Sequence, residues 1–148
     1  MAKYFTLEEL CETSTGLDNT PNDEEKEHLE ILMDVLDGVR EAWTEKCREN
    51  KWGSPSIVVN SGFRSDAVNK AVGGSKTSAH RLGWAADIEP SNQRMKEFQD
   101  FVPKYCEENK ILFDQIIKEH PINGISSWLH FGLKNKQGQQ RKQVFWLN

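Results

Sequence analysis

Two short segments of the chain contain residue types that bind divalent metal ions. The first, residues 78–87 (SAHRLGWAAD), passes from a polar loop at His80 to Asp87 inside a short apolar run. An ionised carboxylate among apolar neighbours is costly unless a cation compensates it, and that cation is either a metal ion or an arginine. The second segment, residues 128–133 (WLHFGL), carries His130 within an alternating run.

The alternation in the second segment determines where His130 points. Leu129, Phe131 and Leu133 share one face of the predicted strand, so His130 lies on the other. Two imidazoles and one carboxylate are a typical catalytic zinc set, and zinc activates water and polarises carbonyl groups. Two other interpretations stay open from the residues alone: a hydrogen-bonded core histidine and an ion-paired strand aspartate.

The elements that must position these residues follow from hydrophobic periodicity. Apolar residues at three- and four-residue steps predict a long helix over about residues 23–49 and a second over about 92–109, which Pro103 should break or kink. Apolar and β-branched runs predict five strands, at residues 57–60, 84–88, 111–118, 128–133 and 144–147. Residues 137–139 (QGQ) form a plausible turn between the last two strands.

This order of elements lacks a regular βαβ alternation. It therefore favours an α+β fold, with one domain over residues 1–148, an antiparallel sheet and flanking helices. A chain of 148 residues has a common size for one domain. We expect it to be a monomer.

Composition and charge argue against several classes of partner. The formal net charge is -4 and no basic stripe is present, so no nucleic-acid partner is expected. The basic residues Lys134, Lys136, Arg141 and Lys142 form one cluster, which fits either a solvated hairpin or contact with an anionic wall polymer. No apolar run is long enough to span a membrane.

The cysteines and the first ten residues indicate the cellular compartment in which the chain is made and folds. Cys11, Cys47 and Cys106 are far apart and odd in number, which is typical of free thiols in a chain folded in a reducing cytoplasm. The first residues, MAKYFTLEEL, show no apolar signal-peptide core. We therefore expect synthesis in the cytoplasm without a signal peptide.

Four motifs together resemble one enzyme family. They are SGFRS at 61–65, VGGS at 72–75, SxHxxGxAxD at 78–87 and WxH at 128–130. In this combination and order the chain resembles the zinc D-Ala-D-Ala carboxypeptidase family, which also includes the L-Ala-D-Glu endopeptidases of phage lysins. Residues 5–10 (FTLEEL) and 17–21 (LDNTP) look like its short phage- and prophage-type branch.

The resemblance implies a fold and a function. The fold would be hedgehog- and DD-peptidase-like, and one zinc ion would be held by His80, Asp87 and His130. The activity would be hydrolysis of a peptide bond in peptidoglycan stem peptides, by a carboxypeptidase or an endopeptidase. A phage or prophage origin would have the protein reach the cell wall after release from the cytoplasm.

The resemblance also assigns side chains to the substrate. Arg64 matches an arginine that holds a carboxylate or the scissile carbonyl, although an ion pair with Asp66 or Asp87 is the alternative. Ser78 matches a position near the metal, and its alternative is a cap for local backbone. Trp128, like Trp84, would wall the substrate groove or shield the metal. His28, among glutamates, is expected to be solvated.

The chain departs from the family at the residue expected to act as general base, which accepts a proton from the attacking water molecule. Many members have an acidic residue three positions before the last histidine ligand, and this chain has Ser127 there. Our hypothesis makes Glu119 the general base and Gln115 a substrate-orienting residue, with Asp114 as second choice for the base. An exposed strand end is the alternative for Glu119. Ser127 also favours an alternative function, a zinc-binding but inactive phage structural or wall-binding module.

Overall fold

The computed structural model describes residues 2–148 and shows one α+β unit. Its helices are α1 (Leu7–Leu10), α2 (Asp23–Asn50), α3 (Asp66–Ala71) and α4 (Met95–Glu108), with a 3-10 turn at Ala79–Leu82. Its strands are β1 (Ile57–Ser61), β2 (Ala85–Pro90), β3 (Gln115–Glu119), β4 (Trp128–Gly132) and β5 (Gln143–Leu147). The predicted α+β class is confirmed.

The five strands form one mixed sheet in the order β1-β2-β4-β3-β5. The first four pair antiparallel, with Asp87 opposite His130 and Ile117 also opposite His130 on the other side of β4. Since side chains alternate across a sheet, Asp87, Ile117 and His130 lie in one row on one face. Ile88, Ile116 and Phe131 point to the other face and are fully buried.

Helix α2 covers the apolar face of the sheet. Its start is fixed by a capping box, in which the Asn22 side chain accepts from the Glu25 amide and the Glu25 carboxylate accepts from the Asn22 amide. One stripe of the helix is buried, from Leu29 and Leu32 through Trp43 to Cys47. This stripe belongs to the same core as Phe131, so the sheet has one packed face and one open face.

Helix α4 runs without interruption through Pro103, and the expected break there is wrong. Proline removes one backbone hydrogen bond from a helix. Phe98 and Val102 before the proline, and Cys106 after it, are buried in the core. This packing on both sides of Pro103 accounts for the continuity.

Strand β5 corrects the prediction of a wholly antiparallel sheet. A turn at residues 135–138 overlaps the predicted turn at residues 137–139, and the chain does reverse after β4. Strand β4, however, is already paired on both sides, with β2 and β3. Strand β5 therefore joins the free edge of β3, and because β3 runs antiparallel to β4, β5 runs parallel to β3.

Within the part of the chain that the structure describes, none of the helices combines the length and the apolar character needed to cross a lipid bilayer.

Candidate metal centre

The open face of the sheet carries the three predicted ligand residues at neighbouring positions. Asp87 and His130 are directly opposite each other on β2 and β4. His80 comes from the 3-10 turn that precedes β2, where the Ser78 hydroxyl accepts from the His80 amide. The turn ends at Gly83, whose φ of +81° is in the left-handed region that favours glycine.

Three side-chain atoms meet at the centre of this face, and we call them the donor triangle. His80 Nε2 lies 3.2 Å from Asp87 Oδ1, His130 Nδ1 lies 3.2 Å from the same oxygen, and the two nitrogens lie 3.2 Å apart. Ligand atoms bonded to a tetrahedral zinc ion at about 2.0 Å lie about 3.3 Å from one another. The donor triangle has the size and the donor types that zinc requires.

The hydrogen bonds of His80 fix where its lone pair lies. His80 Nδ1 is 2.8 Å from the carbonyl oxygen of Gly62, which only accepts, so Nδ1 carries the hydrogen. In a neutral His80 the lone pair is therefore on Nε2 and faces the Asp87 carboxylate. Two electron-rich atoms in this arrangement need a cation between them, and an outer hydrogen bond of this kind is typical of metal-bound histidine.

Asp87 is buried, and its surroundings keep it ionised. Burial alone would raise the pKa of this carboxyl group, but the adjacent imidazoles of His80 and His130 outweigh burial and hold the pKa well below its usual range. Its second oxygen lies 3.6 Å from Arg64 Nη2. A buried, ionised carboxylate beside two histidine nitrogens supplies the negative charge that a divalent cation needs.

Arg64 lies beside the donor triangle, and both of its predicted roles are compatible with its position. Its Nε donates to Ser61 Oγ at 3.1 Å, and its backbone amide donates to the His80 carbonyl at 3.0 Å. The alternative partner Asp66 is instead paired with Arg81. Of the two ion pairs considered from the sequence, the structure therefore contains the one with Asp87.

Helix α2 supports the loop that carries His80. A Cβ at Gly83 would lie 2.8 Å from the Glu25 carbonyl oxygen, so the loop and the helix touch closely. The His28 ring stacks on Trp84 with centroids 4.0 Å apart, and its Nδ1 donates to the Leu82 carbonyl at 2.7 Å. The expectation that His28 is solvated is therefore wrong, because this packing partly buries it.

The donor triangle opens into a cleft of about 850 Å³. The candidate site residues that line this cleft are Arg64, Ser78, His80, Asp87, Gln115, Glu119, Trp128 and His130. Trp84, the other tryptophan considered for the groove wall, does not line the cleft and stacks on His28. Asp114, the second choice for the base, also lines it. Apart from Trp84, the predicted site residues therefore lie around one cavity.

Glu119 and Trp128 face each other across β3 and β4 at one end of the cleft. Trp128 Nε1 donates to Glu119 Oε2 at 3.2 Å. The Ser127 amide donates to the Glu119 carbonyl at 2.9 Å, so Glu119 lies next to residue 127, the position at which the family resemblance implies an acidic residue. The Ser127 hydroxyl donates to the His120 carbonyl and does not line the cleft.

Asp114 and Gln115 occupy the other end. Asp114 accepts from Arg141 Nε at 2.7 Å, from Nη2 at 2.9 Å and from the Arg141 amide at 3.1 Å. Hydrogen bonding to Arg141 holds the pKa of the Asp114 carboxyl below its usual value. Gln115 Nε2 donates to Gln143 Oε1 at 2.9 Å.

Three residues that shape the site were not assigned from the sequence. A Cβ at Gly132 would lie 3.1 Å from His130 Nε2, and a Cβ at Gly62 would lie 2.2 Å from the Leu10 carbonyl oxygen. Glycine inside a strand often marks such a close approach, so Gly132 did carry a signal. The Asn19 amide donates to the Phe63 carbonyl and accepts from the Ser65 amide, which holds both neighbours of Arg64, and it carried no local signal.

Comparison with known proteins supports the assignment to a family. A family model described as Peptidase M15 matches residues 3–120, which include His80, Asp87 and Glu119. The chain belongs to the peptidase M15 family. The zinc D-Ala-D-Ala carboxypeptidase of Streptomyces albus G is 39% identical to this M15 family member over 51 residues.

That similarity to the Streptomyces protein is partial. It covers 34% of this chain and 20% of the length of the relative. His130 lies beyond the residues matched by the family model. The structure brings His130 to the other two candidate metal ligands, because β4 places it directly opposite Asp87.

Proposed function

We propose that this M15 family chain is a zinc-dependent peptidase that hydrolyses a peptide bond in peptidoglycan stem peptides. The observation that carries the proposal is the donor triangle, in which two imidazole nitrogens and one carboxylate oxygen lie 3.2 Å from one another. The name of the Streptomyces albus G relative supports both the metal and the substrate class.

The residues that would hold zinc are His80 through Nε2, His130 through Nδ1 and Asp87 through Oδ1. The donor set fits the ion, since two neutral nitrogens and one carboxylate oxygen are common zinc ligands and leave a coordination position open. Bound there, zinc supplies a Lewis acid that polarises a peptide carbonyl and lowers the pKa of water.

The protein side chains would supply binding and proton transfer. Arg64, at the edge of the donor triangle, would hold the scissile carbonyl or a carboxylate of the substrate through its free N–H groups. Glu119 would accept the proton of the attacking water molecule. Trp128 donates to Oε2 of Glu119 and so leaves Oε1 for that proton.

Two observations favour Glu119 over Asp114 as the base. The oxygens of Asp114 already accept three hydrogen bonds from Arg141, and that contact stabilises the ionised form and makes it a weak proton acceptor. Glu119 makes one side-chain hydrogen bond within residues 2–148 and lies beside the position of the missing acid.

Ser78, Gln115 and Trp128 would contact the substrate along the cleft that they line. The Ser78 hydroxyl also accepts from the His80 amide, so the capping role considered from the sequence is present in the structure. One oxygen lone pair and the hydroxyl hydrogen stay free for a peptide group.

A second candidate function is a zinc-binding module without catalysis. Ser127 favours it, because a serine three residues before His130 cannot act as a base at neutral pH. Purified protein incubated with peptidoglycan, with and without a chelator, separates the two functions. New amino termini that appear only without the chelator support the peptidase, whereas bound zinc with no new termini supports the inactive module.

The same digest distinguishes a carboxypeptidase from an endopeptidase. Mass spectrometry of the soluble products reveals free D-alanine for the first reaction and shortened stem peptides for the second. A phage or prophage origin would add release to the cell wall after cytoplasmic synthesis.

A further inference from the structure

Three cationic side chains line the cleft, and two of them already have carboxylate partners. Arg141 is bound to Asp114 through two N–H groups. Arg64 lies 3.6 Å from Asp87 Oδ2. The third, Lys136, is exposed and forms no ion pair with any residue in the described range 2–148. Lys136 is therefore the cation of the cleft whose charge is not compensated by the protein.

The turn that carries Lys136 is held by specific contacts. Asn135 Oδ1 accepts from the Gln137 amide at 3.0 Å and from the Gln139 amide at 2.8 Å, and Asn135 Nδ2 donates to Gln139 Oε1 at 2.7 Å. Side-chain bonds of this kind fix a tight turn. Arg141 then ties the end of the segment to Asp114. The backbone of Lys136 is thus positioned at the cleft rather than left to a loose loop.

The register of the sheet places this turn at one end of the cleft. The segment that contains Lys136 leaves β4 after Gly132 and enters β5 at Gln143, and both residues pair with Gln115. Glu119 pairs with Trp128 and Leu147 at the opposite end. The donor triangle lies between the two, because His130 pairs with Ile117.

The cleft therefore has a charge polarity along β3. Lys136 lies at the Gln115 end and the Glu119 carboxylate lies at the other end. Gln115 and Glu119 are four strand positions apart, which is about 13 Å along β3. An extended peptide whose scissile bond lies at the donor triangle reaches both ends. A carboxylate of that peptide on the Gln115 side would meet the uncompensated ammonium group of Lys136.

We propose that Lys136 binds a free carboxylate of the peptide substrate on the Gln115 side of the scissile bond. This site rests on the proposed peptidase function and is separate from Arg64, which lies at the Asp87 side of the donor triangle. The other three residues of the basic cluster have different positions. Lys134 lies over the Trp84 ring at 5.1 Å, Arg141 is paired with Asp114, and Lys142 lies outside the cleft. Of the four residues in this cluster, Lys136 is the one placed to select substrate charge.

The test compares two synthetic stem peptides that differ in one group. The carboxylate on the Gln115 side of the scissile bond is free in one peptide and amidated in the other. The enzymes are zinc-loaded wild type, Lys136→Gln and the control Lys142→Gln, whose side chain lies outside the cleft. Lys136→Gln should lower kcat/KM on the free acid about five- to tenfold, as expected for one charge-assisted contact. It should leave the amidated peptide unchanged, and Lys136→Arg should restore most of the loss.

Salt provides a second readout. The wild-type preference for the free acid should shrink as ionic strength rises, because an exposed charge contact is screened, and the Lys136→Gln variant should show no such dependence.

Three outcomes would overturn the proposal: equal losses on both peptides, the same loss in Lys142→Gln, or no loss at all. A loss confined to intact cell walls, with soluble peptides unaffected, would assign Lys136 to an anionic wall polymer and would also overturn it. If wild-type enzyme cleaves neither peptide, the peptidase function fails instead, and the two failures are distinguishable.

Discussion

The cleft contains two buried carboxylates, Asp87 at the donor triangle and Asp114 at the Gln115 end, and the two are neutralised differently. Asp114 is bound by Arg141 through short, direct hydrogen bonds. Asp87 is 3.6 Å from its arginine, and its other oxygen faces two histidine nitrogens. Both carboxyl groups have pKa values below the usual range. Burial and a low pKa are therefore shared, whereas the identity of the partner atoms distinguishes a metal site from an ion pair.

The difference has a physical origin. A guanidinium group already carries its positive charge and its hydrogens, so the Asp114–Arg141 pair is complete without another group. A neutral His80 donates the hydrogen of Nδ1 to the Gly62 carbonyl and presents the lone pair of Nε2 to Asp87. That pair of groups is incomplete until a cation joins it.

The largest effect is expected from exchanging each carboxylate for its amide. Asp87→Asn should lose bound zinc and lower hydrolysis of stem peptides about a thousandfold or more, since the metal supplies several kcal/mol to the transition state. The matched variant Asp114→Asn should keep one zinc per chain. Zinc content by mass spectrometry of desalted protein and release of amino termini are the measurements.

The distinction between Asp87 as a metal ligand and Asp114 as an ion-pair residue fails if both variants keep zinc or if both lose it. In the first case Asp87 is an ion-pair residue like Asp114, and in the second the Asp114–Arg141 pair belongs to the metal site.

Glu119→Gln should produce the next largest effect. It should lower kcat about a hundredfold to ten-thousandfold, as expected for the loss of a general base, while zinc content and folding stay unchanged. Ser127→Ala is the control, because the Ser127 hydroxyl contacts only the His120 carbonyl and should not affect the rate. Full turnover by the Glu119→Gln protein would remove Glu119 from the mechanism.

Removing the ion pair between Asp114 and Arg141 should reduce stability rather than zinc binding. Arg141→Gln should lower the free energy of unfolding measurably, because the buried Asp114 loses charged hydrogen bonds whose strength solvent partly screens. Urea unfolding of the zinc-loaded protein at neutral pH measures this. A loss of zinc on this substitution would be inconsistent with the separation of the two carboxylates.

The pH dependence of that pair has a defined sign. Arg141 lowers the pKa of Asp114 in the folded protein, so its stabilising contribution is present above the unfolded pKa of about 3.9 and is lost as the pH falls through and below it. The stability difference between wild type and Arg141→Gln should therefore shrink in acid. A difference that stays constant down to pH 3 would show that the pKa of Asp114 is not lowered by Arg141.

The smallest effect is expected at Gly132. Alanine there would place a methyl group 3.1 Å from His130 Nε2, so the ring must shift by a few tenths of an ångström. Zinc affinity should fall about fivefold, which corresponds to about 1 kcal/mol. Competition with a zinc indicator measures this change, and an unchanged zinc affinity would show that the His130 ring tolerates the added methyl group without shifting.

Much of the site was predictable because its geometry is encoded locally. Strand alternation predicts that His130 lies on one face of β4 and that Leu129 and Phe131 lie on the other. The structure confirms that Leu129 and Phe131 point to the core. The same rule placed Gln115 and Glu119 on one face, and both line the cleft. Each of these predictions depends only on the two-residue period of a strand.

What could not be predicted depends on which distant segments meet. The turn after β4 was expected to make a hairpin, but both edges of β4 are occupied, which is a property of the whole sheet. His28 looked solvated because its sequence neighbours are charged, yet α2 packs it on Trp84. Asn19 and Gly62 shape the site through contacts with residues far along the chain, and only the folded structure shows them.

The most direct test of the central claim is a crystal of the protein grown with zinc, with anomalous diffraction recorded on both sides of the zinc absorption edge. Our account predicts one anomalous peak within bonding distance of His80 Nε2, Asp87 and His130 Nδ1. The absence of a peak at that position in zinc-loaded crystals, or a peak bound by other residues, would contradict it.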